Sequence, residues 1–326
     1  MIVTLKNAAD RDAVRRELAA KGLWVSTVET TPGGGTLLVV AAHSTAVDPA
    51  AIEAIEGVAT VALPEPEHPR VDAQGPVVEV AGVRFGGDRP VFLCGPCSVE
   101  SEEGIAELAR RLAARGVEFL RGGAFKPRTS PYAFQGHGDP ALRWLRQAAT
   151  AAGMKVVTEA LSEGHVEGVA EHADLVQIGS RNMQNYALLK ATGRTGKPVL
   201  LKRAFAATVE EWLLAAEYLL VHGASGVILC ERGVRSFDPE TRNLLDLSAV
   251  ALLAHVHRLP VIVDPSHASG RRDLVVPLAR AGLAAGAAGL MIEVHDDPGK
   301  ARSDGPQALS TEELGRALPG LRRERA

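Results

Sequence analysis

Val117-Glu-Phe-Leu-Arg121-Gly-Gly-Ala-Phe-Lys126-Pro-Arg128-Thr129-Ser130-Pro-Tyr-Ala-Phe-Gln-Gly-His-Gly138 joins two unlike pieces of chain. Val117 to Leu120 is an apolar run that reads as a short buried strand. The rest cannot be helical: two glycines open it, Pro127 and Pro131 interrupt it, and Gly136 and Gly138 close it. Arg121, Lys126 and Arg128 fall within eight residues, next to the hydroxyls of Thr129 and Ser130, with no acid among them. Such a restricted, cationic, hydroxyl-bearing segment suits phosphate or carboxylate better than it suits a solvated surface loop.

The same alternation, a short apolar strand running into a polar loop and then a helix, repeats from Pro90 onward. Strands are expected to end near Leu93, Leu120, Val157, Ile178, Leu201, Leu229, Val263 and Ile292. Helix starts are marked by Ser101 before Glu102 and Glu103, and by the capping-box pairs Thr208 with Glu211 and Ser310 with Glu313. Eight strand–helix units predict a (β/α)8 barrel over 90–326. A doubly wound open sheet is the rival, but no Gly-x-Gly-x-x-Gly turn opens the first unit. Residues 1–64 read separately, as βαββαβ, the order of a small ferredoxin-like domain. Between the two, 65–89 reads as a stiff proline-rich linker (Pro64, Pro66, Pro69) and a hairpin of Val77–Val80 with Val83–Phe85, placed to cap the barrel bottom.

Composition narrows the function. The chain has 326 residues, 46% hydrophobic and 23% charged, with a formal net charge of −3. That is a globular composition without the global basicity of a nucleic-acid binder. Three cysteines make no disulfide framework and suit a reducing compartment. Neither a signal peptide nor a membrane-length apolar run is present, so a cytoplasmic location without membrane attachment is expected.

Polar residues just after nearly every strand then draw attention: Cys97, Lys126, Glu159, Arg181, Lys202, Arg232, His267 and Glu293. In a barrel those ends share one face, where substrate sites are built. Lys126, Arg181, Lys202 and Arg232, joined by Arg121 and Arg128, would repel one another unless anions held them together, and two phosphates and a carboxylate would do so. Taken singly, each is as readily a surface salt bridge. Cys97, His267, Glu293 and Asp304 make a second constellation, of the donor types that bind a borderline divalent metal. Their spacing is weak evidence by itself, and His295 competes as a ligand.

These segments carry a family resemblance. Gly95-Pro-Cys-Ser-Val-Glu-Ser101, Lys126-Pro-Arg-Thr-Ser-Pro, Gln177-Ile-Gly-Ser-Arg-Asn-Met-Gln-Asn185, Leu201-Lys-Arg203, Cys230-Glu-Arg-Gly233, Val263-Asp-Pro-Ser-His267 and Met291-Ile-Glu-Val-His295 resemble 3-deoxy-D-arabino-heptulosonate 7-phosphate (DAHP) synthases across roughly 70–310. The N-terminal extension is similar to that of the type Iβ branch. The resemblance implies condensation of phosphoenolpyruvate with erythrose 4-phosphate, the entry to the shikimate pathway. It implies one divalent ion of the Mn, Fe, Co or Zn class on Cys97, His267, Glu293 and Asp304. It also implies Arg121, Lys126, Arg181, Lys202 and Arg232 on phosphoenolpyruvate, and Arg128, Thr129 and Ser130 on the sugar phosphate. Lys126 is then the proton carrier, Glu159 orients the attacking water, and His267 joins them in the catalytic set. Feedback by an aromatic amino acid and a homo-oligomer, with a tetramer favoured, follow from the same resemblance. Cys94, often alanine or glycine in the family, and His137, commonly apolar there, depart from the pattern without touching an assigned ligand.

Four other readings stand beside this one. The sister 3-deoxy-octulosonate 8-phosphate synthase, which uses arabinose 5-phosphate, typically has an Ala-Asn-Arg-Ser-type segment where this chain has Pro127-Arg128-Thr129-Ser130. A Schiff-base aldolase would act through Lys202. A decayed, amino-acid-sensing barrel would have little use for an intact cation set. Cys94-Gly-Pro-Cys97 matches the tetrad of thioredoxin-like proteins, but in the wrong structural context.

Overall fold

The computed structural model describes residues 1–6, 9–31, 34–41, 44–45, 47–126, 130 and 132–322. The chain divides into two compact units, Met1–Glu67 and His68–Ala326.

In the first unit, strands β1 (Ile2–Leu5), β2 (Val25–Thr30), β3 (Thr36–Val40) and β4 (Val58–Ala62) alternate with helices Arg11–Ala20 and Pro49–Glu53. The sheet order β2-β3-β1-β4, antiparallel throughout, is the ferredoxin-like arrangement. Asp10 caps the first helix by accepting from the backbone N–H groups of Asp12 and Ala13. Val14 and Leu18, four residues apart on one helix face, pack with Val3, Leu38 and Ile52 in a core of this unit's own.

The second unit begins with a helix, Pro69–Gln74, in a stretch expected to be linker. Proline is well suited to the first helical turn, where its missing N–H costs nothing. Gln74 brackets Val227, donating to its carbonyl at 2.9 Å and accepting from its N–H at 2.6 Å. The hairpin of β5 (Val78–Val80) and β6 (Val83–Phe85) follows. Eight parallel strands then close a barrel: β7 (Val91–Gly95), β8 (Phe119–Arg121), β9 (Lys155–Ala160), β10 (Leu175–Ile178), β11 (Val199–Lys202), β12 (Val227–Glu231), β13 (Val261–Val263) and β14 (Gly289–Glu293). Both expected capping boxes form, at Thr208 and Ser310. Among the described residues no helix is long and apolar enough to cross a membrane.

Strand alternation sorts the barrel side chains into two layers. Phe92, Cys94, Leu120, Val176, Leu229 and Ile292 face the surrounding helices. Val91, Leu93, Phe119, Val157, Leu200, Ile228 and Met291 fill the interior, together with Val78, Val80 and Phe85 of the hairpin. Those three plug the N-terminal end, where a Cβ on Gly226, just before β12, would lie 2.8 Å from Val78. Burying Phe85 completely contributes on the order of 1.5–3 kcal/mol to closing that end.

On six of the eight strands the interior turns polar two residues beyond an inward apolar position. Arg121, Glu159, Gln177, Lys202, Asp264 and Glu293 all follow this count from Phe119, Val157, Leu175, Leu200, Ile262 and Met291. The strand expected to end near Val157 therefore runs on to Ala160, and Glu159 is a strand residue. Lys202 and Glu293 likewise close β11 and β14 instead of opening the loops after them. Their polar heads meet other polar heads at the mouth, so each is accommodated within its strand.

Candidate active site

Two groups of side chains share the barrel mouth. The first is cationic. Arg121, Lys126, Arg181, Lys202 and Arg232 line one pocket with Glu159, Gln177, Phe205, Arg242, His267 and Asp304. Two of the five expected cations are paired: Arg121 donates to Glu293 at 3.1 Å and Lys202 to Asp264 at 2.5 Å. Lys126, Arg181 and Arg232 have no acidic partner among the described residues. Phe205 lies between the latter two, its ring 4.7 Å from the Arg232 guanidinium and 5.7 Å from that of Arg181. Burial pushes the Arg232 guanidinium down from its ordinary value. Arg121 is buried, and its Nε has no partner among the described residues. A buried donor without a partner is costly, and a group entering this pocket could relieve it.

Gly123 of the opening stretch makes room for this. A Cβ on Gly123 would lie 2.8 Å from Lys126 Cδ and 2.9 Å from the Cys97 carbonyl. Without it, Lys126 Nζ reaches that carbonyl at 2.8 Å and the Cys97 sulfur at 3.0 Å. Glu159 accepts from Gln177 Nε2 at 3.0 Å and faces the same pocket. Ser130 is exposed, its hydroxyl accepting from the Tyr132 N–H at 3.3 Å. Arg128 and Thr129 lie outside the described residues.

The second group is the donor quartet. Cys97 Sγ, an imidazole nitrogen of His267 and carboxylate oxygens of Glu293 and Asp304 all lie within 4.8 Å of one another. Cys97 and His267 follow β7 and β13, while Glu293 ends β14 and Asp304 lies in the segment after it. His267 Nδ1 is paired to Asp264 at 2.7 Å, so Nε2 turns to the quartet, 3.3 Å from Glu293. This carboxylate–imidazole pairing is the usual way a ligating histidine is oriented. Burial pushes the His267 imidazole down, toward the neutral form a cation needs. At Asp264 burial acts the other way, but His267 and Lys202 outweigh it and hold the carboxyl well below its ordinary range.

Cys97 donates its thiol hydrogen to Asp304 at 3.0 Å and accepts from Ser303 Oγ at 3.0 Å. Burial, reinforced by Glu293, pushes this thiol up to about 12. Asp304 is lowered to about 2: burial opposes the shift, and the Cys97 thiol, His267 and Arg242 override it. The thiol hydrogen thus bridges two donor atoms that a cation would take in its place, and one thiol, one imidazole and two carboxylates fit a borderline divalent ion. His295 does not join them; it lies 3.8 Å from Glu100 and accepts from the Asp297 N–H. Cys94 also stands apart, buried in the helix-facing layer.

Several residues at this mouth were not singled out from sequence: Gln177, Phe205, Glu231, Arg242, Asp264 and Gln307. Gln177 and Asp264 follow from the two-residue count along their strands. Glu231, fully buried, accepts from Arg203 at 3.1 Å and from the Gly233 N–H at 2.7 Å, which fixes the turn that carries Arg232. Nothing in residue type alone separates Arg242 or Gln307 from surface residues.

The mouth is that of a (β/α)8 barrel in which a cluster of cations stands beside a Cys/His/Glu/Asp quartet that could hold a metal ion. Residues 67–322 match the DAHP synthetase I family, and the chain belongs to that family. Over 236 residues it is 53% identical to the phospho-2-dehydro-3-deoxyheptonate aldolase of Thermotoga maritima, spanning 72% of this chain and 70% of that protein. The crystal structure of a DAHP synthase from the same organism superposes with a TM-score of 0.77 at 42% identity, covering 99% of this chain and 96% of the other. The 2-dehydro-3-deoxyphosphooctonate aldolase of Geotalea uraniireducens is more distant, 33% identical over 265 residues, or 75% of this chain and 96% of that protein.

Proposed function

We propose that this mouth condenses phosphoenolpyruvate with erythrose 4-phosphate and water, giving 3-deoxy-D-arabino-heptulosonate 7-phosphate and inorganic phosphate, the first step of the shikimate pathway. Membership of the family supports the reaction. The observation that carries the residue roles is the set of three cations without acidic partners among the described residues, Lys126, Arg181 and Arg232, lining one pocket with Arg121, whose buried Nε has no partner there.

Arg121, Lys126, Arg181, Lys202 and Arg232 hold the phosphate and carboxylate of phosphoenolpyruvate, the two paired cations sharing their charge with Glu293 and Asp264. Arg128, Thr129 and Ser130 receive the sugar phosphate. Cys97, His267, Glu293 and Asp304 hold the divalent ion, which when bound supplies Lewis acidity toward the sugar aldehyde. The enol methylene forms the new carbon–carbon bond to the aldehyde carbon, and the aldehyde oxygen needs a proton. Lys126, between the anion pocket and the quartet, is placed to deliver it. Glu159, held by Gln177, orients the water that adds to the cationic carbon left behind; that water loses a proton and phosphate departs. The octulosonate reading is less well supported, since identity to that enzyme is 33% against 53%.

The first unit serves as a regulatory domain for an aromatic amino acid, and the chain assembles as a homo-oligomer; both readings rest on the likeness to the type Iβ branch. The reaction is tested by phosphate release from the two substrates, with arabinose 5-phosphate as the competing sugar and a chelator as control. Activity with erythrose 4-phosphate, lost on chelation and restored by a divalent ion, is expected. Preference for arabinose 5-phosphate would overturn the proposal.

A further inference from the structure

Among the quartet, Asp304 is the ligand with the weakest local support. Glu293 ends a barrel strand and is fully buried, Cys97 is buried just beyond another strand, and His267 rides on a helix, Pro265–Ser269. Asp304 sits in a turn with left-handed backbone, φ 54°, and its side chain is 24% exposed. Aspartate tolerates that conformation better than most residues, but a turn alone does not hold a carboxylate still.

Arg242 does. Its NH1 donates to Asp304 Oδ1 at 3.3 Å and to Gln307 Oε1 at 3.1 Å. Gln307 in turn donates through Nε2 to Glu293 Oε2 at 2.5 Å. One guanidinium nitrogen therefore ties two carboxylate ligands together. The same two-residue segment also grips the helix carrying the third ligand. The Arg242 N–H donates to the Ser269 carbonyl at 3.0 Å, the Asn243 N–H to the Ala268 carbonyl at 2.8 Å, and Asn243 Nδ2 to the His267 carbonyl at 3.0 Å. Gly270 permits this approach: it ends the helix at φ 67°, and a Cβ there would lie 2.8 Å from that of Arg242.

We infer that Arg242 is a positioning residue that sets the divalent-ion affinity of the quartet, by fixing the Asp304 carboxylate and linking it through Gln307 to Glu293. The inference rests on reading the quartet as a metal site. Two effects act in the same direction. Asp304 loses less conformational freedom on binding if its Oδ1 is already held, leaving Oδ2 for the ion. In addition, a thiolate and two carboxylates outweigh one divalent ion by a negative charge, and the guanidinium offsets it from outside the donor set. Arg242 also lines the anion pocket, so the competing role is a plain substrate contact.

The test is equilibrium titration of the metal-free full-length protein with Co2+, without substrates. It follows the thiolate-to-cobalt charge-transfer band contributed by Cys97, with affinity fixed by chelator competition. Arg242→Gln is expected to bind Co2+ about tenfold to a hundredfold more weakly than wild type. Arg242→Lys keeps the charge, but its shorter, flexible ammonium is not held at the one position from which Arg242 NH1 serves both Asp304 and Gln307, and its affinity should fall between the two. It also stands in if the glutamine variant does not fold. Wild-type cobalt affinity in both variants, with only a raised KM for a phosphorylated substrate, overturns the inference in favour of substrate contact. A wild-type protein that binds Co2+ without the thiolate band, or not at all, overturns the metal reading itself and the inference with it.

Discussion

Lys126 Nζ lies 3.0 Å from the Cys97 sulfur, so a single ammonium belongs both to the anion pocket and to the ligand quartet. It sits where charge moves in the proposed reaction, between an anion bound by arginines and an aldehyde beside the metal. A cation there stabilises the quartet's sulfur when it is a thiolate and still has a proton to give.

Lys126→Ala should therefore lower turnover at least about a hundredfold, or roughly 2.7 kcal/mol in the barrier. Its head is polar and lies in a loop, so little core is lost and the unfolding midpoint should stay near wild type. Steady-state kinetics beside thermal melts decide it. Turnover within about tenfold of wild type would remove Lys126 from the chemistry.

Asp264→Asn tests how His267 is oriented. The amide can still accept from the His267 backbone N–H, as Asp264 does at 3.0 Å, but it loses the charge that pairs with Nδ1 and with Lys202. A drop in divalent-ion affinity of about tenfold to a hundredfold is expected. Chelator competition measures it, and an unchanged affinity would show that His267 needs no carboxylate partner.

A pH-dependent stability difference should appear at Asp246, which accepts from Arg203 at 2.8 Å and caps a helix through the Ala249 N–H. Burial raises its carboxyl, but Arg203 and that cap outweigh it and leave it below its ordinary value of 3.8. A depressed carboxyl stabilises the fold above the unfolded-state value, and the contribution is lost as pH falls through the folded-state value. Asp246→Asn keeps the cap and loses the charge-assisted bond, about 1.5–3 kcal/mol. Its melting temperature should be lower than wild type at pH 7, with the gap closing below about pH 4. A gap that stays constant into acid would assign the effect to packing.

Cys94 and Cys97 should not form an inhibitory disulfide. Burial pushes the Cys94 thiol far up, and its side chain packs among the helix-facing residues while the Cys97 sulfur meets Asp304 and Lys126. Metal-free wild type and Cys94→Ala, treated with mild oxidant and then reloaded with a divalent ion, should lose recoverable activity at the same rate. Slower inactivation of the variant, with fewer free thiols in oxidised wild type, would show that the strand can turn Cys94 toward the mouth.

Removing residues 1–67 should leave an active barrel, because the second unit has its own core and its own plug. On the regulatory reading, that shortened protein no longer responds to tyrosine, phenylalanine or tryptophan. A full-length enzyme indifferent to all three would refute the regulatory role without touching the barrel assignment.

Much of this was legible from residue order. Short apolar runs and capping boxes such as Thr208 with Glu211 marked the strand–helix units, because both signals depend on near neighbours. Cys97, His267, Glu293 and Asp304 were legible as types, but their convergence depends on barrel closure, which pairs β14 with β7 across the whole unit. Glu159 and Lys202 were placed one element too late, since a polar residue reads as a loop when the mouth that receives it is unseen. Arg242 and Gln307 left no local trace; their meaning comes only from contacts across 62 and 65 residues of chain.

The hairpin plug has a consequence for traffic. With Val78, Val80 and Phe85 filling the lower end, the barrel is a blind-ended vessel, and everything enters and leaves by one door. Arg121 and Lys202 lie deep in it, each 4% exposed, whereas Ser130 is exposed. On the proposed roles, phosphoenolpyruvate has to settle before the sugar phosphate closes the way behind it. Released phosphate then waits for the longer sugar product to clear the opening, so a depth gradient alone imposes an order on arrival and departure.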